Sequence, residues 1–360
     1  MRTSKHLAAA LLAGALVLSA CSSDDGGAKN TTTEAPVPVD VGEVLQGLAQ
    51  DVIVPSYVGL SAALDKLAVD SKALCVAPSQ EALTKAQDDW RAADVAWQKT
   101  RAAGVGPALD DRLMSDVGFA ARQTVVDDLL ESGDPVDPAS IAEEGSAARG
   151  IFASEILLFG DGSDTLTTAD ALQRCEYAAS VAANAKEAAG AVTKQWVDGD
   201  AKQRFVAGLD GGPESSVALV VNEVTHRLDE LDTMALRDMA AAKSADDLDP
   251  SRKGGPADQR LADRRALFDG VSVTIGNGRT GISALVGAQD AGTRDRLLAA
   301  NDKANQAMAA LPDSVSAAYE DPAAIKAASD AVAELKVLVS TEVASKLGVT
   351  ITFSDSDGDS

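Results

Sequence analysis

Side chains with nitrogen or sulfur donors for a metal are scarce in this sequence, which has two histidines and three cysteines among 360 residues. His6 lies in an N-terminal segment that we expect to be removed, so His226 is the only histidine of the mature protein. A zinc peptidase of the His-Glu-x-x-His type needs two histidines four residues apart, which this chain cannot supply. A serine hydrolase would have to use His226, and no nucleophile-elbow motif lies near it.

Basic residues are also few, at 32 Lys and Arg against 55 Asp and Glu, a formal net charge of −23. A surface of this sign repels nucleic acid and anionic lipid headgroups, so we expect no nucleic-acid partner and no basic membrane patch. The acidic excess would attract cations, although it also serves solubility. Aromatic residues make up 3% of the chain, so the core must be built chiefly from Ala, Leu and Val.

Residues 1–20 have the pattern of a lipoprotein signal peptide. Arg2 and Lys5 precede a short apolar run, and the sequence Leu-Ser-Ala-Cys that ends at Cys21 has the form of a lipoprotein cleavage site. We therefore expect a lipid-anchored protein of the bacterial cell envelope, periplasmic or at the cell surface, with Cys21 as its acylated N-terminus. The alternative is an ordinary secretory signal. Residues 21–41, rich in Ser, Asp, Gly, Thr and Pro, predict a disordered acidic tether.

Two cysteines remain, Cys75 and Cys175. An even count in an oxidising compartment predicts a disulfide between them, and two separate buried thiols are the alternative. A bridge that closes a loop of about a hundred residues contributes on the order of 4 kcal/mol in the chain-entropy description.

Apolar residues recur every three or four positions, and no strand-like alternation persists before the last few residues, so the predicted fold is all-α. Four helices before about residue 200 and four after it predict two tandem four-helix bundles, at 42–200 and 201–353, followed by an acidic tail at 354–360. The predicted helices are about Val41 to Leu74 with a kink or break at Pro55, one capped by Ser79, about Leu109 to Glu131, one capped by Thr168 that reaches Trp196, and about Pro213 to Ala242, Arg260 to Val286, Ala291 to Leu311 and Pro322 to Leu347.

Trp90, Asp94, Trp97 and Arg101 share one face of the helix that Ser79 caps, because their spacings are four, three and four. One interpretation is an amphipathic cleft wall on which Arg101 holds an anion or a carboxylate. The other is a pair of core tryptophans with a charged pair at the rim.

Glu223 and His226 lie three residues apart on one helical face, a spacing that iron sites in helical bundles use. The usual site needs two such pairs and further carboxylates, so an ordinary solvated helix face is the alternative interpretation.

The stretch Gly150-Ile-Phe-Ala-Ser-Glu-Ile-Leu-Leu-Phe-Gly160 resembles the signature segment of the imelysin family, which reads Gly-x-His-x-x-Glu followed by Leu-Leu, an aromatic residue and Gly. Phe152 stands at the histidine position of that signature and Glu155 at the glutamate. The tryptophan pair that runs into Gly106-Pro107, and the block Arg174-Cys-Glu-Tyr177, also resemble segments of the family.

The resemblance implies a bacterial envelope protein, often iron-regulated, with two helical bundles and a metal site near their junction. Glu155, Glu223 and His226 are the predicted metal ligands, for iron or another divalent metal, and no other cofactor is expected. Trp97, Arg101 and Phe152 are the predicted cleft wall. For Glu155 the alternative is a buried carboxylate that caps a helix or pairs with Arg149 or Arg101. A pairing with Arg101 would keep Glu155 ionised.

The predicted function is a binding or accessory role in iron or metal acquisition, with a metal ion or an envelope protein as partner. One alternative is a peptidase, which the family name implies. The other is a degenerate family member that docks a protein, because the apolar ring of Phe152 would favour a hydrophobic partner.

Overall fold

The protein is described by a computed structural model that covers residues 40–208, 215–248 and 255–352. Every regular element in these ranges is helical, which confirms the all-α prediction. The signal peptide, the lipidation site Cys21, most of the tether and the tail at 354–360 lie outside the described residues. Asp40 and Val41 belong to the fold and not to the tether, because the Asp40 carboxylate accepts the amide of Gly42 at 2.8 Å and caps the first helix.

Between residues 40 and 208 the structure has four long or central α-helices and five short ones. They are α1 (Val41–Val76), α2 (Gln80–Arg101), α3 (Pro107–Asp110), α4 (Leu113–Val117), α5 (Gln123–Ser132), α6 (Pro138–Glu143), α7 (Gly150–Phe159), α8 (Leu172–Val197) and α9 (Ala201–Ala207). Helix α1 packs along α2 and α8, and α7 packs against α8 and α2.

The described part of the second half contains six α-helices. They are α10 (216–241, with a π-helical stretch Glu230–Leu236), α11 (Arg260–Ile275), α12 (Gly281–Gln289), α13 (Ala291–Ala309), α14 (Val315–Ala318) and α15 (322–347). Helix α13 packs against α15 and α12, and α15 packs against α10. Whether the two halves act as separate four-helix bundles stays a prediction.

Helix α1 continues past Pro55, so of the two predicted alternatives, a kink or a break, the break is wrong. A π-helical stretch, Ala49–Ile53, ends two residues before the proline. Pro55 has no amide hydrogen to donate, and a π-bulge rearranges the hydrogen bonds next to it. By length and composition α1 could span a membrane, but its leucines, among them Leu60 and Leu64, are fully buried in the protein core.

The disulfide predicted between Cys75 and Cys175 is present, with Cα atoms 5.4 Å apart. It joins the last turn of α1 to the first turn of α8. Ser79 caps α2 as predicted, because its hydroxyl accepts the amide of Ala82 at 3.2 Å. Thr168 caps a 3₁₀ turn that leads into α8.

The predicted helix from Leu109 to Glu131 is wrong, because the chain forms α3, α4 and α5 instead. At Gly118, between α4 and α5, a Cβ atom would collide with the indole ring of Trp97. The ring therefore occupies the space that a continuous helix would need for its side chains. The predicted helix from Arg260 to Val286 also divides, since Gly276 has a φ of 84° that other residues rarely adopt.

Helix α11 of the second half lies directly on α2 of the first. A Cβ atom on Gly270 would collide with the carbonyl oxygen of Lys99 and would lie 3.1 Å from the methyl group of Ala102. Such close backbone approach needs a glycine at this crossing. The contact holds the last two turns of α2 against α11, and several of the acidic and basic side chains described next come from these two helices.

Candidate functional site

A cleft of about 390 Å³ lies beside the α2–α11 contact. Its walls come from α2, α7, α10, α11 and the turn after α4. The cleft is lined by Trp97, Gln98, Arg101, Gly118, Ala120, Phe152, Glu230, Leu231, Ala235, Arg260, Asp263, Arg264 and Leu267. The structure thus places all three predicted cleft-wall residues, Trp97, Arg101 and Phe152, on one cavity.

Three buried carboxylic acids, which we call the carboxylate cluster, lie at and behind the cleft wall: Asp94 of α2, Glu155 of α7 and Asp263 of α11. Their exposed fractions are 0%, 6% and 7%. The side chains of Asp94 and Asp263 are hydrogen-bonded to each other, which requires a proton on one of them. Asp94 Oδ1 also accepts the side-chain amide of Gln98 at 3.1 Å.

Burial raises the pKa of both aspartates above the ordinary value, and the charge of Asp94 raises that of Asp263 further. One oxygen of each carboxyl, Asp94 Oδ2 and Asp263 Oδ1, is buried and receives no hydrogen bond from any other residue that the structure describes. Buried polar atoms of native proteins are nearly always paired. These two oxygens therefore depend on the proton that the carboxyl pair shares, next to a cavity.

Glu155 pairs with neither Arg149 nor Arg101, so that expectation is wrong. Its Oε1 accepts the backbone amide of Ala257 at 3.2 Å. Arg149 pairs with Asp116 at 2.8 Å. Burial raises the pKa of Glu155 to about 7, so the carboxyl is not held ionised as a pairing with Arg101 would require.

Arg101 belongs to a separate group, the charge network, with Glu223, Arg227 and Glu230. Arg101 Nη2 donates to Glu230 Oε2 at 2.6 Å, and Arg227 donates to Glu230 at 2.8 Å and to Glu223 at 2.7 Å. Glu223 is therefore engaged by Arg227 and does not join Glu155. His226 is half-buried, and burial followed by the charge of Arg227 lowers its pKa. Of the three predicted metal ligands, Glu155 thus belongs to the carboxylate cluster, Glu223 to the charge network, and His226 to neither.

The sequence model of the family described as imelysin matches residues 53–341. This match covers most of the chain and all the helices that build the cleft. The chain belongs to the imelysin family. No curated protein matches the sequence.

Two solved structures share the imelysin fold with this chain. An imelysin-like protein from Psychrobacter arcticum 273-4 is 17% identical, with a TM-score of 0.72 over 89% of this chain and 100% of its own. A protein from Parabacteroides distasonis ATCC 8503, provisionally named an iron-regulated protein A precursor, is 16% identical, with a TM-score of 0.73 over 88% of this chain and 97% of its own. At such identities the likeness establishes the fold alone.

Within this imelysin-family fold the signature segment forms α7. Phe152 and Glu155 lie three residues apart, so they share a face of the helix. The Phe152 ring lines the cleft and Glu155 lies deeper, at the carboxylate cluster. Among the residues that the structure describes, no group of three or more His, Cys, Asp or Glu side chains is arranged to hold a metal ion.

The side chains of this arrangement can hold a ligand. An aspartic dyad that hydrolyses peptides needs a water between two carboxyl groups that substrate can reach, but Asp94 is fully buried behind Asp263. The side chains that do face the cleft are guanidinium, amide, carboxyl and aromatic groups, which orient and hold a ligand.

Sequence reasoning missed Asp263, which no motif marks and which lies between Arg260 and Arg264. The spacing of Asp94 from Trp97 predicted its helix face correctly, but its partner Asp263 was not predicted. The pairing depends on the contact between α2 and α11 at Gly270, which no local sequence pattern predicts.

Proposed function

We propose that this imelysin-family protein is a lipid-anchored component of the bacterial envelope that binds a metal cargo, iron in the first place, in its cleft during metal uptake. The cargo is bound and released without a chemical step. Support comes from the lipoprotein pattern at Cys21, from the acidic surface, and from a structural relative whose name links it to iron regulation.

One observation carries the proposal. Asp263 lines the cleft, and its Oδ1 and the Oδ2 of Asp94 behind it are buried oxygens to which no other described residue donates a hydrogen bond. A cation that displaces the shared proton would satisfy both oxygens and would remove the reason for their raised pKa values. Burial of Asp94 and Asp263 would thus destabilise the folded protein in the absence of the cargo and stabilise it when the cargo is bound.

The test is Asp263→Asn, for which we expect weaker metal binding and greater stability at once. The amide can still donate a hydrogen bond to Asp94, as the protonated carboxyl does, but it cannot become an anion. A carboxyl whose pKa is raised by folding binds extra protons in the folded state, so stability falls as pH rises above about 4. The variant should not show that decrease. Its free energy of unfolding should exceed that of wild type by on the order of 2 kcal/mol at pH 7 and should equal it near pH 3.5.

Iron binding would be measured by equilibrium dialysis at pH 6 and pH 8, and stability by urea unfolding at pH 7 and pH 3.5. Wild type should bind more tightly at pH 8, because the cation competes with a proton. Asp302→Asn, at an exposed position of α13, is the matched control and should change neither measurement. Unchanged iron affinity in Asp263→Asn would refute the assignment of the site.

A second candidate function, the docking of a protein, is favoured by the half-buried ring of Phe152 on the cleft wall. An apolar ring has no lone pair for a cation but suits an apolar anchor from a partner. On this account the protein is a family member that has lost metal binding.

Phe152→His separates the two candidates. The new imidazole would share a helix face with Glu155, and we expect it to tighten Zn(II) binding by about tenfold or more if the surrounding oxygens can coordinate. Isothermal titration calorimetry measures the change, and Leu172→His, at an exposed position of α8, controls for a surface imidazole. Metal affinity that appears only in the variant supports docking. Tight binding by wild type contradicts it.

A further inference from the structure

The cleft offers too few donors to coordinate a bare transition ion. Such ions take four to six ligands from nitrogen, sulfur or oxygen. Two carboxylates line the cleft, Asp263 and Glu230, and Glu230 already accepts hydrogen bonds from Arg101 and Arg227. Phe152 contributes no lone pair, and the described side chains include no preformed metal-binding group. Any metal held here must bring most of its ligands with it.

The size of the cleft leads to the same conclusion. At about 390 Å³ it lies in the range of small-molecule sites, roughly 300 to 1,000 Å³. A single ion would leave most of this space to water. An organic molecule of modest size would fill it.

The walls match an anion more closely than a cation. The guanidinium groups of Arg101 and Arg260 line the cleft from α2 and α11. The Nε atoms of both are buried without an acceptor, although Arg101 uses its two terminal nitrogens on Gln98 and Glu230. A guanidinium presents parallel donors that fit a carboxylate, and an unmet buried donor is costly. The Nε–H groups of these two arginines therefore lack acceptors of the kind that a ligand carboxylate would provide, although the charge of Arg260 also acts on the carboxylate cluster.

Much of the remaining lining is apolar. Trp97, Phe152, Leu231 and Leu267 contribute to it, beside the polar side chains of Gln98 and Arg264. Binding sites for small organic anions combine such a hydrophobic surface with a few fixed polar groups. The carbon skeleton of a ligand would contact the rings while its charged groups face Arg101 and Arg260.

We propose that the cargo is an anionic metal chelate, in which a small organic polycarboxylate coordinates the ion and Arg260 and Arg101 bind the carboxylates of the chelator. The carboxyl group of Asp263, which lines the cleft, then supplies a protein ligand or a hydrogen bond to the complex. This inference rests on the proposed function, but the two can fail separately. A protein that binds bare iron ions would satisfy the proposed function and would contradict the chelate inference.

The experiment uses the mature protein in equilibrium dialysis against Fe(III) citrate with radiolabelled citrate, so that iron and chelator are counted independently. Parallel dialysis against an Fe(II) salt measures the bare ion. We expect iron and citrate to be retained together and more tightly than Fe(II). Arg260→Gln should weaken retention of the complex by about tenfold or more, as expected for the loss of a charge-assisted hydrogen bond, without weakening retention of Fe(II).

Arg279→Gln, in an exposed loop of the same half, removes the same charge away from the cleft and should have less than a twofold effect. Thermal unfolding of Arg260→Gln, followed by circular dichroism, confirms that the variant is folded. Retention of iron without citrate, or equal affinities of wild type and Arg260→Gln for the complex, would overturn the inference and leave the proposed function in place. If neither the complex nor Fe(II) were retained, both would fall.

Discussion

Replacing Cys75 and Cys175 together by serine is expected to lower the free energy of unfolding by about 4 kcal/mol. The bridge spans 100 residues of sequence, and in the chain-entropy description a loop of that length restricts the unfolded chain by about 4.7 kcal/mol. Part of this gain is offset wherever the unfolded chain retains structure. Folded-state losses add to the effect, since Cys175 is buried against the core.

The measurement is urea unfolding of the double variant beside oxidised and reduced wild type. Reduced wild type should match the double variant, because the two share the same open chain. Single variants, Cys75→Ser and Cys175→Ser, should be equally destabilised apart from any mixed disulfides. If reduction left the midpoint unchanged, the bridge would have no energetic role and its stabilising effect would have to be abandoned.

The disulfide connects two helices that pack against the elements of the candidate site. It fixes the end of α1 to the start of α8, and both helices enclose the core that carries α2 and α7. Loss of the bridge would weaken the packing of α1 and α8 against α2 and α7, the helices that carry Asp94 and Glu155. A stabilising disulfide also fits the extracytoplasmic location that the signal pattern predicts, because such bridges persist in oxidising compartments.

The parts of the fold predicted correctly from sequence are those with local or chemical causes. The period of the leucines determines α1, the hydroxyl of Ser79 determines the start of α2, and the even cysteine count predicted the bridge. The failures have tertiary causes. The sequence pattern from α3 to α5 predicts one helix, but the Trp97 ring lies against Gly118. No local sequence pattern predicts a contact between positions twenty-one residues apart.

The candidate site likewise has residues that were predicted from sequence and partners that were not. Trp97 and Arg101 were predicted because helical spacing places them on one face, and Phe152 because it lies in the segment that resembles the family signature. The partners of these residues could not be found. Arg101 bonds Glu230 and not Glu155, because the π-helical stretch that begins at Glu230 and the crossing of α10 with α2 decide which carboxylate comes within reach.

Removing one member of the charge network should destabilise the protein nearly as much as opening the disulfide. Arg227 is 7% exposed and bonds both Glu223 and Glu230. Arg227→Met keeps the length of the side chain but leaves the two partly buried carboxylates of Glu223 and Glu230 with Arg101 alone. Breaking a buried pair by removing one partner costs about 3 to 5 kcal/mol, because the remaining charge is uncompensated.

The pH dependence identifies the cause of that loss. Burial alone would raise the pKa of Glu230, but Arg101 and then Arg227 hold it below its ordinary value. A carboxyl with a lowered pKa contributes stability above its unfolded pKa and loses that contribution as pH falls through its folded pKa. Urea unfolding should therefore show a large difference between wild type and Arg227→Met at pH 7 and a small one near pH 3.

Arg204→Met, which breaks an exposed pair with Asp200, is the matched control and should cost less than about 1 kcal/mol. Adding Glu230→Gln to Arg227→Met should recover part of the loss, because it removes one uncompensated charge. A difference that stayed constant from pH 7 to pH 3 would mean that lost packing, and not charge, causes the destabilisation. Because Glu230 also holds Arg101 on the cleft wall, the double variant should weaken retention of Fe(III) citrate even where its stability recovers.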